Sequence, residues 1–294
     1  MSQWKRLSFV LIALLTAPAF AAVRVTDDLG QTVVLAQPAR RIVSLAPHVT
    51  ETLFTAGAGS HLVGAVSYSD YPEAAMNIPR VGGYHNLDLE RIAALKPDLI
   101  IAWAGGNPLQ QVEHLRTLGL TVYVADPRRL EDIASSIERF GDLSGTGKVS
   151  ARAAASFRAR LTGLKQRYAH RRPVNIFYQI WHEPLMTVNG EHLISRAIEL
   201  CGGRNVFAGL SLLTPKIDIE AVLAADPEVI AASGMDAARP QWLDDWRRWP
   251  QLRAVRREQL VFIHPDLIQR ASPRVLDGAE QLCRALDRAR VGGG

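Results

Sequence analysis

The chain has 294 residues, 48% of them hydrophobic and 21% charged, with a formal net charge of +5. That composition is globular and excludes collagenous and disordered readings; a chain of this length buries roughly three quarters of its unfolded surface, so a core needs no staple. The positive excess is small, and Lys and Arg are scattered without interleaved aromatics, which argues against a nucleic acid partner.

The chain opens with Lys5 and Arg6, an apolar run from Leu7 to Ala17 and then Ala19-Phe20-Ala21. This is the pattern of a secretory signal peptide over residues 1–21, cleaved near Ala21; its removal takes two positive charges and leaves +3. The apolar run is about 11 residues against the roughly 20 of a membrane span. No cysteine follows the cleavage site to carry a lipid, so the mature chain is expected to be soluble outside the cytoplasm.

Val23-Arg24-Val25-Thr26 and Gln31 to Leu35 flank Asp27-Asp28-Leu29-Gly30, which predicts a β-hairpin. From Arg41 the pattern changes. Apolar strands such as Leu99–Trp103 and Val122–Ala125 alternate with amphipathic segments such as Thr50–Ala58 and Leu89–Leu95, which predicts α/β units and a largely parallel sheet. Lys148 to His170 carries Ala, Leu, Arg and Lys without proline and reads as one long helix, stopped by Pro173 before a second α/β set begins at Val174. The segmentation expected is a signal peptide at 1–21, an N-terminal lobe at 22–146, a connecting helix at 147–172 and a C-terminal lobe at 173–294.

The two halves resemble each other. Leu87-Asp88-Leu89-Glu90 through Lys96-Pro97-Asp98-Leu99-Ile100 matches Ile217-Asp218-Ile219-Glu220 through Asp226-Pro227-Glu228-Val229-Ile230 at a constant offset of 130. A weaker echo pairs 51–59 with 197–203. Two similar α/β lobes on one stiff helix leave a cleft between them as the natural ligand site. Cys201 and Cys283 are the only cysteines; in an exported chain they form a disulfide or remain two separate buried thiols, the even count favouring the pair.

Motifs for catalysis are missing. Gly145-Thr146-Gly147-Lys148 imitates a phosphate loop, but Asp142 stands where its first glycine belongs and Val149 where its Ser or Thr belongs. No GxSxG, HExxH or CxxC occurs. The eight histidines show no metal-ligand spacing; His85 and His182, each beside an aromatic (Tyr84, Trp181), are either cleft-lining or solvated. Tyr68, Tyr71, Tyr84 and Trp103 fall on polar or glycine-bearing segments where strands should end, which suits a large flat ligand or ordinary packing. Trp242, Trp246 and Trp249 are spaced like one helical face and read as core. Glu90 and Glu220 occupy matching places at helix starts, either complementing the dipole or presenting one carboxylate per lobe to a two-fold partner.

Arg41-Ile42-Val43-Ser44-Leu45-Ala46-Pro47 with Thr50-Glu51, then Ser67-Tyr68-Ser69-Asp70-Tyr71-Pro72, Leu89-Glu90-Arg91-Ile92, Ala102-Trp103 with Gly105-Gly106-Asn107, and Arg270-Ala271-Ser272-Pro273-Arg274 carry a resemblance over nearly all of the mature chain. The chain resembles the periplasmic cobalamin-binding proteins of ABC importers, whose frame is shared with haem and ferric-siderophore binders. The resemblance implies capture of cobalamin between two α/β lobes in the periplasm, without catalysis, resident cofactor or metal. It also implies delivery by a free monomer to a permease dimer with its ATPase subunits. By position it implies ligand contacts from Tyr68, Tyr84 and Trp103 of the N-lobe and Met186 of the C-lobe, and from the loop Asp266, Leu267, Ile268, Gln269 and Arg270. It makes Glu90 and Glu220 the acidic pair that docks on permease arginines, and Cys201–Cys283 a disulfide. Relatives can carry tryptophan where this chain has Tyr84 and Thr214; Trp181 is the ring that could compensate. A stiff linker implies a cleft largely formed before ligand arrives.

Overall fold

A computed structural model describes residues 22–234 and 238–291; the signal peptide expected at 1–21 lies outside the described residues. The predicted hairpin forms from β1 (Val23–Thr26) and β2 (Thr32–Leu35), paired antiparallel. The Asp27 carboxylate closes its turn by accepting from the amides of Leu29 and Gln31 at 3.0 and 2.8 Å.

The N-lobe follows as β3 (Ile42–Ser44), α1 (Pro47–Thr55), β4 (Leu62–Ala65), the short hairpin β5 (Gly82–Gly83) and β6 (Asn86–Leu87), α2 (Leu89–Ala94), β7 (Leu99–Trp103), α3 (Leu109–Thr117), β8 (Val122–Ala125) and α4 (Leu130–Ser144). Its sheet has the order β4-β3-β7-β8, every pair parallel. α5 (Gly147–Tyr168) then leads to β9 (Val174–Gln179), the hairpin β10 (Trp181–His182) and β11 (Leu185–Met186), α6 (Leu193–Leu200), β12 (Gly203–Asn205), α7 (Ile219–Ala225), β13 (Val229–Ala232), α8 (Arg253–Arg256), β14 (Leu260–Phe262), α9 (Pro265–Ile268) and α10 (Val275–Val291). The second sheet has the order β12-β9-β13-β14, again parallel. Strands such as Val229–Ala232 are apolar throughout and wholly buried because helices cover both faces of a parallel sheet.

The 130-residue repeat is structural. Asp88 and Asp218 cap α2 and α7, each side chain accepting from the amide three residues on, Arg91 at 3.0 Å and Ala221 at 2.7 Å. Both helices end in a left-handed residue, Lys96 (φ 46°) and Asp226 (φ 39°), a conformation unusual for non-glycine side chains, and a proline follows each. The next acid ties the turn to the neighbouring strand start: Asp98 accepts from the Arg41 amide at 3.0 Å, Glu228 from the Asn175 amide at 3.1 Å.

α5 buries Ser150, Ala154, Phe157, Leu161, Leu164 and Tyr168, a stripe at alternating steps of four and three residues. Phe157, Leu161 and Leu164 belong to one continuous core that includes Ile42, Ile101 and Phe140 of the N-lobe and Val174, Ile198 and Leu282 of the C-lobe. Ion pairs fasten the helix on both sides, Arg158 to Glu138 of α4 at 2.5 Å and Arg160 to Asp277 of α10 at 2.6 Å. The outer face of each sheet has its own separate core. Lobe movement about α5 would therefore disturb shared packing as well as the helix's hydrogen bonds.

Cys201, just past α6, and Cys283 of α10 form a fully buried disulfide across 82 residues. Gly145-Thr146-Gly147-Lys148 is the α4–α5 turn: Gly145 is left-handed (φ 71°) and the Thr146 hydroxyl donates to the Ala56 carbonyl at 2.6 Å. One expectation is corrected in detail. Gln241–Arg248 is a 3-10 helix, whose three-residue turn lines up Leu243, Trp246 and Trp249; Trp246 is buried, while Trp249 and Trp242 are half-buried and pack against the same core, Trp242 from off the row and stacked on His182 with ring centroids 5.5 Å apart. No described helix is long and apolar enough to cross a membrane.

Candidate ligand cleft

All strands of each sheet are parallel, so the loops at their C-terminal ends gather on one edge per lobe, the usual place for ligands in open α/β sheets. The two edges face one another. Glu51 of α1 and Asp70 after β4 reach Arg270 and Arg274, which follow α9 in the other lobe.

The N-lobe wall is aromatic. Trp103, the last residue of β7, lies over Ala104-Gly105-Gly106; a Cβ on Gly106 would overlap its ring, so the glycines let the backbone pass beneath the indole. His48 meets Trp103 edge-on at 5.1 Å, and the Tyr84 ring approaches from the other loop at 5.8 Å, tilted by 51°. Tyr84 is carried on the β5–β6 turn, where Gly82 has φ 94° and a side chain would strike the backbone of Asn86 and Asp88. Tyr68 is 72% exposed and left-handed (φ 64°), on the loop after β4 whose Ser67 amide donates to the Gly82 carbonyl at 2.8 Å, beside the turn that carries Tyr84.

The C-lobe wall is a different construction. Trp181 and Met186 are partners across the β10–β11 hairpin, both half-buried, and the Trp181 indole N–H donates to the Glu183 carbonyl at 2.8 Å within the same hairpin. His85 and His182 are both exposed. Thr214 is exposed on a loop that runs beside the chain after Met186, with Thr187 donating to the Pro215 carbonyl at 3.0 Å. Its neighbours Leu212 and Leu213 are 66% and 51% exposed.

The Asp266–Arg270 segment divides. Ile268 is fully buried in the shared core, so its side chain anchors the loop from below rather than lining the cleft. Leu267 is half-buried, its carbonyl against Gly278 of α10. Gln269 donates to the Ser233 hydroxyl at 2.6 Å. Arg270 bonds three carboxylates, Glu51 at 2.9 Å, Asp70 at 2.7 Å and Asp266 at 2.8 Å. Arg274 grips Glu51 through two nitrogens, at 2.9 and 2.7 Å, and lies 3.8 Å over the Tyr71 ring. Glu51 is 2% exposed, a buried carboxylate with two guanidiniums. Burial pushes the Asp70 carboxyl up, but its hydrogen bonds from Arg270 outweigh that and hold it below the ordinary carboxylate range. Burial pushes the His48 imidazole down to about 4, with Glu51 opposing and Arg270 reinforcing, so it is neutral at pH 7.

Glu51, Arg274 and His48 were not among the site residues expected from sequence, nor was Asn107, which is buried between the Tyr84 and Trp103 loops. The available signal for Glu51 was an acid in an amphipathic segment between Val49 and Leu53, flanked by Thr50 and Thr52. A separate groove of about 820 Å³ lies where the α4 start meets the ends of α5 and α6, lined by Arg129, Lys165, Arg171, Arg196 and Tyr168. It contains none of the cleft residues. Glu90 and Glu220 are exposed, and neither enters an ion pair among the described residues.

Two duplicated α/β lobes on a packed helix, with side chains from both converging on one cleft, define a two-lobed solute-binding protein. The model of the periplasmic binding protein family matches residues 42–267. A vitamin B12-binding protein of Vibrio cholerae is 41% identical over 250 residues, 85% of this chain and 90% of that one; the vitamin B12-binding protein of Photorhabdus laumondii is 38% identical over 247 residues, 84% and 88%. The crystal structure of the periplasmic vitamin B12-binding protein of Vibrio cholerae superposes with a TM-score of 0.79 at 40% identity, covering 86% of this chain and 98% of that one. A periplasmic haem-binding protein from Roseiflexus shares the fold, with a TM-score of 0.76 at 23% identity over 85% and 99% of the two chains. The chain belongs to the periplasmic binding protein family.

Proposed function

We propose that this protein captures cobalamin in the periplasm and delivers it to the permease of an ABC importer, transforming nothing and carrying no cofactor of its own. The reading rests on the match to vitamin B12-binding proteins over 85% of the chain. The cleft supports it. Rings tilted by 51° cannot both lie flat on one plane, so a planar porphyrin would stack on one of them, whereas a puckered corrin with peripheral amide arms fits a notch. In this reading the lobes are 22–146 and 173–294, and Tyr68, Tyr84 and Trp103 cover one side of the ligand. Met186, with Trp181 and the leucines beside Thr214, covers the other, and Asp266 and Arg270 offer hydrogen bonds to the corrin edge. Glu90 and Glu220, free and equivalent in the repeat, meet arginines of the permease dimer. Equilibrium dialysis of the mature protein against cyanocobalamin, a cobinamide and haem tests this. Retention of the corrinoids over haem is expected; retention of haem with neglect of both corrinoids would overturn it.

A further inference from the structure

Asn107 is 8% exposed and spends its whole side-chain amide on three backbone groups from three different segments. Its Nδ2 donates to the Leu45 carbonyl, at the end of β3, at 2.9 Å, and to the Tyr84 carbonyl at 2.7 Å. Its Oδ1 accepts from the Trp103 amide at 2.7 Å. The Asn107 amide also donates to the Trp103 carbonyl at 3.0 Å, which closes the Trp103–Asn107 turn on itself. These are the carriers of the two rings that approach each other in the cleft, and Leu45 directly follows β3, buried in the core beneath them. No regular ladder joins the Tyr84 turn to the Trp103 turn, because β5 pairs only with β6, and β7 pairs with β3 and β8. Gln111 holds the far end of the same hairpin by accepting from the Leu87 amide at 3.1 Å, and Ser67 holds Gly82 by donating its amide and hydroxyl to that carbonyl at 2.8 and 3.1 Å; Asn107 is the link from the Tyr84 carbonyl itself to the Trp103 turn.

We infer that Asn107 is a positioning residue for ligand capture: it sets the spacing and tilt of Tyr84 and Trp103 without itself meeting the ligand. The inference deepens the cobalamin reading above and rests on it for its affinity test. Donors are required at Nδ2 and an acceptor at Oδ1, so no other side chain of similar volume can serve. Aspartate keeps the shape but turns an oxygen toward two carbonyl oxygens.

The test is a titration with cyanocobalamin of wild type, Asn107→Ala and Asn107→Asp, repeated in a Tyr84→Ala/Trp103→Ala background. A loss of at least tenfold in affinity is expected on the native background for both variants, and less than twofold on the ring-deleted one, because the effect travels through the rings. Should Asn107→Ala not fold, Asn107→Asp, nearly isosteric, carries the measurement. Equal losses on both backgrounds, or folded variants that bind within twofold of wild type, would overturn the inference. If wild type ignores every corrinoid, the cobalamin reading has failed, and amide hydrogen exchange decides the inference instead. Loss of Asn107 should speed exchange at the Trp103 amide and the Tyr84 turn at least tenfold while β3 and β7 interiors are unchanged; unaltered exchange at those loops overturns it.

Discussion

The two lobes share a frame and differ at the cleft. Asp88 and Asp218, Lys96 and Asp226, and Asp98 and Glu228 do equivalent work 130 residues apart, and Glu90 and Glu220 stand in matching first turns. The loops that line the cleft differ between the lobes: glycine-supported rings fixed by Asn107 on one side, a Trp181–Met186 hairpin and an arginine loop on the other. A cap, a left-handed turn and a proline are dictated by local chemistry and persist in both copies. The strand-end loops are not held to one local pattern, and a ligand of the proposed kind, seated between them, gives them no reason to match.

The broadest challenge to this comparison is acid, which should strike both lobes alike. His48 in the N-lobe and His192 in the C-lobe are each pushed down to about 4 by burial, the former also feeling Glu51 and Arg270. An unfolded imidazole takes its proton near pH 6.5, while the folded one resists until about 4. Stability is therefore whole above pH 6.5 and falls as pH drops toward 4, by up to about 3 kcal/mol per histidine. Urea unfolding at pH 7 and pH 4.5 measures the loss; His48→Gln should remove roughly half of it. An unchanged pH slope in that variant would mean that His48 does not titrate as its burial requires.

The disulfide separates the lobes, since only the C-lobe has one. Cys201→Ser with Cys283→Ser should cost about 2–4 kcal/mol. Because the core runs through α5 into both lobes, the loss is expected to shift a single transition rather than split it. Two resolved unfolding steps would show that the lobes are less coupled than their packing implies.

The Glu51 cluster joins what the comparison divides. Glu51→Ala leaves Arg270 and Arg274 at the lobe junction without their shared carboxylate. Breaking a fully buried pair costs about 3–5 kcal/mol; here Arg270 retains Asp70 and Asp266, and both guanidiniums keep some solvent, so about 2–3 kcal/mol is expected. Faster release of bound cobalamin should accompany it, read by stopped-flow absorbance, because the two walls lose their direct tie. A destabilised variant with unchanged release would make the cluster purely a matter of folding.

How far the sequence discloses all this follows from the range of each interaction. The hairpin, the parallel α/β alternation, the long helix and the repeat are legible because periodicity, caps and Pro-Asp or Pro-Glu turns act within a few residues. The Cys201–Cys283 pair is legible from the even count of cysteines, and the strand-end places of the paired rings Tyr84 and Trp103 from the glycines around them. Glu51, which acts across 219 and 223 residues, has no local pattern to betray its partners. Asn107 reads as one more polar residue after two glycines, since its three bonds span up to 62 positions. Ile268 shows the opposite error: it shares a polar loop with Asp266 and Arg270, and only the packing reveals that it faces the core.

The smallest expected effect tests the part of the comparison in which the lobes remain alike. Glu90 and Glu220 occupy the same site of a duplicated capped helix, are exposed, and stabilise their own helices by no more than about 0.3–1 kcal/mol through the dipole. Neither is placed among the cleft side chains, so Glu90→Ala and Glu220→Ala should leave cobalamin affinity within about twofold. Docking on a permease dimer in nanodiscs should weaken with each change, by similar amounts if the partner is two-fold, and added salt should weaken wild type toward the variants. A loss confined to one variant would break the symmetry inferred from the repeat. A loss of ligand affinity in the free protein would move these acids from the docking face to the cleft.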